Sequence, residues 1–418
     1  MILQSASAII TFLFLVIILS YYVLLFIRRR RPKTHKRLNS ISIIIPAHNE
    51  APYLKATIDA VLQADFVGEK QVIVVDDASK DATARIARSC KKVRLIRNVA
   101  QLGKAASINR ALKQATGDII AIVDADSVIR KNALEEMAKE LSRDGVGGAT
   151  GVVLVKNRNE LINMWVHIEQ LYNSLMRLIM SKVNANIVTP GPLSMYKRSA
   201  LKKLGGFSTD GFSEDINVSI RLIRAGYRIG YTHKAVSATN MPYRRKWFFK
   251  QRARFARGML HVFKRHLSLK KTIIDLYTLP IYVFTYVQAV IMGLFTLYQI
   301  VAGYITYFAS QGTFLNLAVA KFFLEWFSIV GFVRWVGSVI AGTTPLTFIT
   351  IIGIISTLLT YPLYCFAIAK FDKRIDWRHL IPLVFMAPFW WLIMVIYIAM
   401  LPELFRKQQY NKWQKNEP

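Results

Sequence analysis

Four long apolar stretches constrain the fold of this chain more than any other feature of its sequence. They cover residues 9–27, 276–308, 345–371 and 381–401, and each is close to the ~20 residues that cross a bilayer as a helix. A fully water-soluble fold is therefore excluded. Because no basic residue precedes the first stretch and no small-residue cleavage site follows it, we interpret that stretch as an uncleaved membrane anchor.

A fifth apolar segment, residues 319–340, is ambiguous because it contains Lys321, Glu325 and Arg334. It can span the membrane, lie at its surface or re-enter it, and ionisable residues inside spans often pair with a partner. If it spans, the C-terminal tail is cytoplasmic and the basic loop at residues 373–374 is outside; otherwise these locations reverse. We favour a cytoplasmic tail and leave the number of spans open. The basic residues of the tail are Arg406, Lys407, Lys412 and Lys415.

The formal net charge is +31, and its placement indicates the topology. The excess lies beside the apolar stretches, beginning with the basic run at residues 28–33, as the positive-inside rule requires. This puts residues 28 to about 271 in the cytoplasm, facing anionic lipid, and disfavours nucleic acid as a partner. Only Cys90 and Cys365 are present, so no disulfide framework or thiolate metal site is implied, which suits a reducing compartment.

From residue 40 the sequence alternates short apolar segments with amphipathic ones, which predicts an α/β layer with a mainly parallel sheet. Strands are expected at residues 41–45, 71–75, 93–96 and 119–123. Helices are expected at residues 53–62, 81–89, 104–115 and 132–141. In open sheets of this kind, ligands bind at the carboxyl ends of the strands.

Two pairs of acids fall at such strand ends. Asp124 and Asp126 follow the last predicted strand, where they can hold Mg²⁺ or Mn²⁺ against a diphosphate, although this spacing is also common in solvated loops. Asp76 and Asp77 follow the second strand, where a carboxylate can accept a hydrogen bond from a pyrimidine ring. Ser79 is predicted to cap the next helix.

Two further segments carry charge at predicted helix starts. Gly103 and Lys104 place a cation at the positive end of a helix dipole, which suits phosphate, with a solvated lysine as the alternative. Glu214 and Asp215 follow Ser213 at the start of a helix over residues 216–225. These acids are explained either by helix capping or by a general base at Asp215.

Three other features have simpler explanations. Apolar residues at helical spacing over 161–178 favour a core-facing helix over a membrane or acceptor contact. Basic and aromatic residues over 244–271 predict interfacial helices on the bilayer, where Gln251 and Arg254 could also hold a diphosphate. His48 is interpreted as a turn histidine bonded to backbone rather than as a base.

The order of these motifs between residues 43 and 258 resembles the family 2 glycosyltransferases, specifically the processive membrane synthases of cellulose, chitin, hyaluronan and poly-N-acetylglucosamine. The resemblance implies a GT-A, Rossmann-like nucleotide-diphospho-sugar transferase domain in the cytoplasm and an α-helical transmembrane region. The implied boundaries are 1–38 for the anchor and basic stop, 39–235 for the transferase domain, 236–275 for the interfacial helices, and 276–418 for the C-terminal spans and tail.

The resemblance also implies residue roles. Uridine would meet Asp77, with Asp76 beside it, and Lys104 matches the lysine of a motif that Asn109 completes. Asp126, assisted by Asp124, would hold Mg²⁺ or Mn²⁺. The catalytic residues would be Asp215, as base, and Glu214. The remaining donor-binding residues would be Ala47, Gln251 and Arg254, and the acceptor-binding residues Phe255 and Gly191.

Two residues depart from the family pattern: Ser213 replaces a threonine, and Phe255 replaces the tryptophan under the acceptor sugar. Within the family the chain is most similar to the bacterial poly-β-1,6-N-acetylglucosamine synthases. This implies a UDP-sugar donor, UDP-N-acetylglucosamine first, a growing polysaccharide as acceptor, a small membrane accessory subunit, and the bacterial plasma membrane. The alternatives are hyaluronan- or chitin-type synthesis, a non-processive transferase with a lipid acceptor, and a transporter or receptor with a degenerate domain.

Overall fold

A computed structural model describes residues 2–28, 38–211, 213–268, 272–311, 316–372 and 375–405. The chain divides into two compact units. One, the α/β unit, contains residues 27–279 and the stretch from residue 404; the other, the helical unit, contains residues 1–26 and 280–403. Predictions for the basic residues at 29–33, 271, 373–374 and 406–415 fall outside the described residues.

The described part of the α/β unit contains an eight-stranded sheet in the order β3-β2-β1-β4-β7-β6-β8-β5. Pairings among the first four strands in this order are parallel, whereas β7 is antiparallel to both neighbours and β5 is antiparallel to β8. The strands are β1 Ser40–Ala47, β2 Glu69–Asp76, β3 Val93–Arg97, β4 Ile119–Ile122, β5 Ser127–Ile129, β6 Val146–Val155, β7 Ser194–Lys197 and β8 Arg228–Thr239.

Helices cover the sheet and bury its β-branched residues, as a parallel sheet requires. Ile43, Ile45, Val74 and Ala121 lie in one core cluster with Leu54. The helices of this unit are α2 Ala51–Gln63, α3 Thr83–Ser89, α4 Lys104–Leu112, α5 Ala133–Leu141, α6 Leu161–Lys182, α7 Arg198–Leu204, α8 Glu214–Arg224 and α9 Arg245–His266.

The register of the parallel strands brings the acidic motifs to one edge. Ala47, the last residue of β1, lies opposite Asp76, the last residue of β2. The strand β4 pairs with β1 on its other side and ends at Ile122, two residues before Asp124. The carboxyl ends of β1, β2 and β4 therefore meet, as the sequence predicted.

The four predicted strands and four predicted helices of the first half are confirmed, within a few residues at their ends. Met164, Ile168 and Leu171 of α6 are buried, which confirms a core-facing helix. Between residues 244 and 268, the described part of the predicted interfacial stretch, one helix, α9, forms rather than several. The strand β8 continues to Thr239, past the boundary expected at residue 235.

The predicted cap by Ser79 is wrong. The helix α3 begins at Thr83, and its N-terminal flanking residue has no side-chain capping bond. The Ser79 hydroxyl instead accepts a hydrogen bond from the Asn49 backbone N–H at 2.9 Å. It therefore ties the turn after β1 to the turn after β2, because both turns lie at the same edge of the sheet.

Within the described residues of the helical unit, four helices are long and apolar enough to cross a membrane. These segments are Ala6–Phe26, Ile274–Phe308, Phe348–Phe371 and Met386–Leu404. The helices here are α1 Ile2–Phe26, α10 Leu279–Gln311, α11 Leu317–Phe327, α12 Ile329–Ile340, α13 Phe348–Phe371, α14 Trp377–Val384 and α15 Met386–Met400.

The ambiguous segment at 319–340 forms α11 and α12, which are bent by 88° at Ser328. Ser328 caps the second helix, because its hydroxyl accepts from the Val330 N–H at 3.2 Å. Glu325 and Arg334 form an ion pair across the bend. Because 11 and 12 residues rise only about 17 Å each, neither helix alone crosses the ~30 Å hydrocarbon core.

Candidate active site

Lys104 joins two of the predicted motifs. It is the first residue of α4, and the preceding Gly103 has φ 90°, a conformation that glycine adopts without strain. Its Nζ lies 2.6 Å from Asp124 Oδ1 and 3.3 Å from Glu214 Oε1. Burial opposes the charge on this ammonium, but Asp124 and Glu214 outweigh it and raise the pKa of Lys104. A partly buried, charged lysine therefore bridges the end of β4 and the start of α8.

Asp215 lies beside this ion pair in the first turn of α8. Burial, followed by the charge of Glu214, raises the pKa of Asp215 to about 6, against the opposing effects of Lys104 and the Ile216 N–H. A carboxylate with this pKa is ionised at neutral pH yet more basic than an exposed aspartate, which suits a general base. Ser213 precedes the helix without making a side-chain capping bond.

Three buried hydroxyls support the first turn of α8. Thr189 and Ser219 both donate to the backbone carbonyl of Asp215, at 3.1 Å and 2.8 Å. Thr189 also lies 2.8 Å from the Ser219 hydroxyl and 2.7 Å from that of Tyr196. These contacts fix the backbone at Asp215 to the loop before β7, since all three hydroxyls are buried.

Gly191 lies in that loop, against the Lys104–Asp124 pair. Its carbonyl accepts a hydrogen bond from the Asp124 N–H at 3.1 Å. A Cβ at this position would lie 2.4 Å from Asp124 Oδ2 and 2.5 Å from Lys104 Nζ. Only glycine therefore fits here without displacing the ion pair.

Asp126 is held by side chains from β8 and the turn beside it. Its Oδ1 accepts hydrogen bonds from Ser127 Oγ at 3.0 Å and Thr239 Oγ1 at 3.1 Å, and its carbonyl accepts from Asn240 at 3.3 Å. Asp124 and Asp126 offer only carboxylate oxygens, which are the ligands that Mg²⁺ and Mn²⁺ prefer. The residues present therefore fit a hard divalent cation.

Asp77 is fully buried and organises the turn before Lys104. It accepts hydrogen bonds from Asn98 Nδ2 at 2.7 Å and from the N–H groups of Leu102 and Gly103, both at 2.9 Å. These three bonds occupy most of the roughly four acceptor sites of the carboxylate. The Asp77 N–H donates to the Ala47 carbonyl at 2.8 Å, which brings these two predicted donor residues together.

Asp76 and His48 have structural partners. Asp76 is buried, accepts from the Ser79 N–H at 3.1 Å and lies 3.2 Å from Arg97 Nε. His48 Nδ1 lies 2.7 Å from the Asp77 carbonyl. The interpretation of His48 as a turn histidine bonded to backbone is confirmed.

Asn109, which completes the lysine motif, acts on the backbone of another loop. It donates to the Phe207 carbonyl at 2.7 Å and accepts from the Phe207 N–H at 2.8 Å. The two bonds hold the glycine-rich loop ahead of α8 against α4. Asn109 therefore helps to position α8, and its side chain is occupied by backbone bonds rather than offered to a ligand.

The helix α9 carries the remaining predicted residues. Gln251 Nε2 lies 3.8 Å from Met241 Sδ, next to the strand end that holds Asp126. Within the described part of the chain, Arg254 makes no ion pair with the site acids, and its guanidinium lies 5.6 Å from the Phe255 ring centre. Phe255 is 41% exposed, so its ring is open to a ligand.

Sequence reasoning missed an ion pair behind this helix. Both terminal nitrogens of Arg252, on α9, donate to the Glu169 carboxylate of α6, Nη1 to Oε1 at 2.7 Å and Nη2 to Oε2 at 2.6 Å. A signal was present, because Glu169 is spaced four residues after Trp165 and three before Tyr172 on the apolar face of α6. Thr189 and Thr239 carried no comparable signal, since an isolated threonine is common in any strand or loop.

The mixed sheet with acidic motifs at its carboxyl edge has the GT-A fold. Residues 42–205 match the model of glycosyl transferase family 2. This stretch is therefore similar to family 2 glycosyltransferases, as the motif order predicted, and similarity to named enzymes of this kind extends over most of the chain.

Two relatives and one solved structure illustrate the similarity. The poly-β-1,6-N-acetyl-D-glucosamine synthase of Staphylococcus epidermidis is 26% identical over 91% of this chain and 87% of its own length. The probable glycosyltransferase YdaM of Bacillus subtilis is 30% identical over 62% and 66%. The mannosyltransferase PcManGT of Pyrobaculum calidifontis, solved with GDP-Man and Mn²⁺, shares the fold at 23% identity and TM-score 0.58, over 89% of this chain and 98% of that one.

Proposed function

We propose that the protein is a metal-dependent, inverting β-glycosyltransferase of the bacterial plasma membrane that polymerises N-acetylglucosamine from UDP-N-acetylglucosamine on the cytoplasmic side. The observation that carries the proposal is the Lys104 bridge between Asp124 and Glu214. It links Asp124, part of the acid motif that we assign to the cation, to the helix start that carries Asp215, whose pKa is raised to about 6. The name of the poly-β-1,6-N-acetyl-D-glucosamine synthase relative supports the sugar.

On the donor side, the uracil lies at the turn that Asp77 holds together. Asp126, assisted by Asp124, would hold Mg²⁺ or Mn²⁺, which when bound neutralises the diphosphate and helps it depart. Lys104 at the start of α4 adds a positive charge and a helix dipole near the phosphates. Gln251 and Arg254 complete the contacts to the leaving UDP.

On the acceptor side, Asp215 Oδ takes the proton of the attacking sugar hydroxyl. The hydroxyl oxygen forms a bond to the anomeric carbon while the bond from that carbon to the diphosphate breaks, so UDP leaves and the anomeric configuration inverts. Glu214 keeps the pKa of Asp215 high. The exposed Phe255 ring and Gly191 border the acceptor, and the membrane helices pass the growing polymer outward with a small accessory subunit.

Phe255 favours a second candidate function. Phenylalanine replaces a larger aromatic residue at the acceptor position and lacks its N–H donor, so it holds a long polymer less firmly. A non-processive transferase that adds one sugar to a lipid acceptor fits this difference. Hyaluronan- and chitin-type synthesis remain alternative forms of the polymerase proposal, because they would use the same donor-binding and catalytic residues.

One experiment tests donor, linkage and processivity together. Purified membranes containing the protein are incubated with single radiolabelled UDP-sugars and Mg²⁺ or Mn²⁺, and the products are sized and digested with linkage-specific hydrolases. We expect a long product from UDP-N-acetylglucosamine that a β-1,6-specific enzyme degrades. A lipid-linked single sugar would replace the polymerase proposal with the second candidate.

A further inference from the structure

Arg252 lies one residue after Gln251 but serves a different purpose. It is 5% exposed, and its partner Glu169 is 9% exposed. The two form a bidentate pair in which Nη1 lies 2.7 Å from Oε1 and Nη2 lies 2.6 Å from Oε2. This geometry uses the planar fork of arginine, which lysine cannot reproduce. The pair therefore holds the Arg252 guanidinium in one position against α6.

The same guanidinium lies between two aromatic rings of α9. Its central carbon is 5.2 Å from the Phe248 ring centre and 5.9 Å from the Phe255 ring centre. Phe248 precedes Arg252 by four residues and Phe255 follows it by three, so the three side chains share one side of the helix. Phe248 is 2% exposed whereas Phe255 is 41% exposed. Arg252 thus links a buried ring to an open one.

Stability alone does not require this arrangement. Apolar residues of similar volume often replace a buried ion pair at no cost in stability, because desolvation of the two charges offsets their attraction. A bidentate ion pair instead restricts its side chains to one arrangement. Here that arrangement determines the direction in which the Phe255 ring faces, because the Arg252 guanidinium lies against the ring.

We propose that the Glu169–Arg252 pair is a positioning device that sets the Phe255 ring for stacking against the acceptor sugar. The inference rests on the proposed function, since it takes a β-linked N-acetylglucosamine chain as the ligand of that ring. Neither Glu169 nor Arg252 touches the sugar. Their effect passes through the ring, and donor binding is independent of them.

The test compares Arg252→Lys with Arg265→Lys. Arg265 lies on the same helix and pairs with Asp210 at the surface, so it is a matched control. Direct binding of a β-1,6-linked N-acetylglucosamine oligosaccharide, binding of UDP, acceptor KM, kcat and product length are measured on the full-length protein. We expect Arg252→Lys to weaken oligosaccharide binding and raise acceptor KM by roughly 10- to 100-fold, the range for a misplaced positioning group.

We expect unchanged UDP affinity, shorter products and a control that matches the unmodified protein. The double variant Glu169→Leu with Arg252→Met keeps the site apolar and folded if the single variant fails to fold, and it should show the same acceptor defect. Unchanged oligosaccharide binding in a folded variant, or a parallel loss of UDP binding, overturns the inference. Failure of the unmodified protein to transfer the sugar overturns the proposed function, while the binding comparison still decides the role of the pair. Absence of oligosaccharide binding by the unmodified protein overturns the inference as well.

Discussion

Thr239 donates its hydroxyl hydrogen to Asp126 across 3.1 Å, although the two residues are 113 positions apart in the sequence. The contact places the end of β8 behind the carboxylate that we assign to the cation. Residues behind a metal ligand orient it, and their removal typically costs 10- to about 100-fold in metal affinity. The sheet therefore tunes the proposed metal site through a strand that contributes no ligand.

Thr239→Val keeps the side-chain shape and removes the hydroxyl. We expect the Mn²⁺ concentration for half-maximal activity to rise about tenfold, because the Asp126 carboxylate loses a bond that orients it. The measurement is a metal titration after chelation of the preparation. Thr232→Val, on the same strand and also buried, should leave the titration unchanged. If both variants require the same Mn²⁺ concentration, Thr239 does not contribute to metal binding.

Asp215→Asn removes the proposed base and keeps the side-chain size. Turnover should fall roughly 10²- to 10⁴-fold, the contribution of positioned proton transfer, while UDP affinity stays the same. Initial rates and UDP binding are measured on the same preparation. Asp210→Asn, an exposed acid paired with Arg265, serves as the control. A polymerising Asp215→Asn protein would end the assignment.

The pH dependence of turnover follows from the same carboxyl. Asp215 acts in its ionised form and its pKa is about 6, so kcat should be constant above that pH and fall as the pH drops through it. Glu214 raises this pKa, so Glu214→Gln should move the inflection to lower pH, whatever its effect on the maximum. Rates between about pH 5 and pH 8 show the shift. If the inflection pH is the same in Glu214→Gln, Glu214 does not affect the pKa of the catalytic base.

Gly191→Ala introduces a methyl group where only 2.4 Å separates the new carbon from Asp124 Oδ2. We expect the Lys104–Asp124 pair to move and the KM for the donor to rise about tenfold, since an overlap that forces its neighbours to shift costs about 1–3 kcal/mol. Gly337→Ala, where nothing lies within 4 Å of the added carbon, is the control. A normal donor KM in Gly191→Ala would show that the loop is free to shift.

The bent helix pair decides the side of the C-terminus. A cytoplasmic tail, which we favour, requires a pair that crosses the membrane. In a protein without its native cysteines, Asn316→Cys should then react with an impermeant thiol reagent added to intact cells, and Thr344→Cys should not. Reaction at both ends would mean that α11 and α12 re-enter on one side.

The sequence predicted those parts of the fold that depend on local pattern. The strands β1 to β4 are short apolar runs followed by turns, and their parallel order puts Asp77 and Asp124 at one edge. The strands β5 to β8 were not predicted, because β6 is rich in glycine and the short β7 begins and ends with polar residues. Their pairing depends on partners distant in the chain.

The candidate site divides in the same way. Motif spacing identified Lys104, Asp124, Asp126 and Asp215, but it gave no sign that Lys104 bridges two acids. Such a contact depends on the approach of α4 and α8 in three dimensions. Ser79 failed as a predicted cap for a related reason, since the turn after β1 competes for its hydroxyl.

The Thr189 hydroxyl has a consequence for attempts to exchange specificity between related enzymes. It binds both Tyr196 and the first turn of α8, while its loop also carries Gly191. A transplanted loop that lacks this hydroxyl leaves the Asp215 carbonyl and the Tyr196 hydroxyl each with one hydrogen-bond partner fewer. Chimeras should therefore exchange residues 189–196 and Ser219 together, so that these hydrogen bonds are kept.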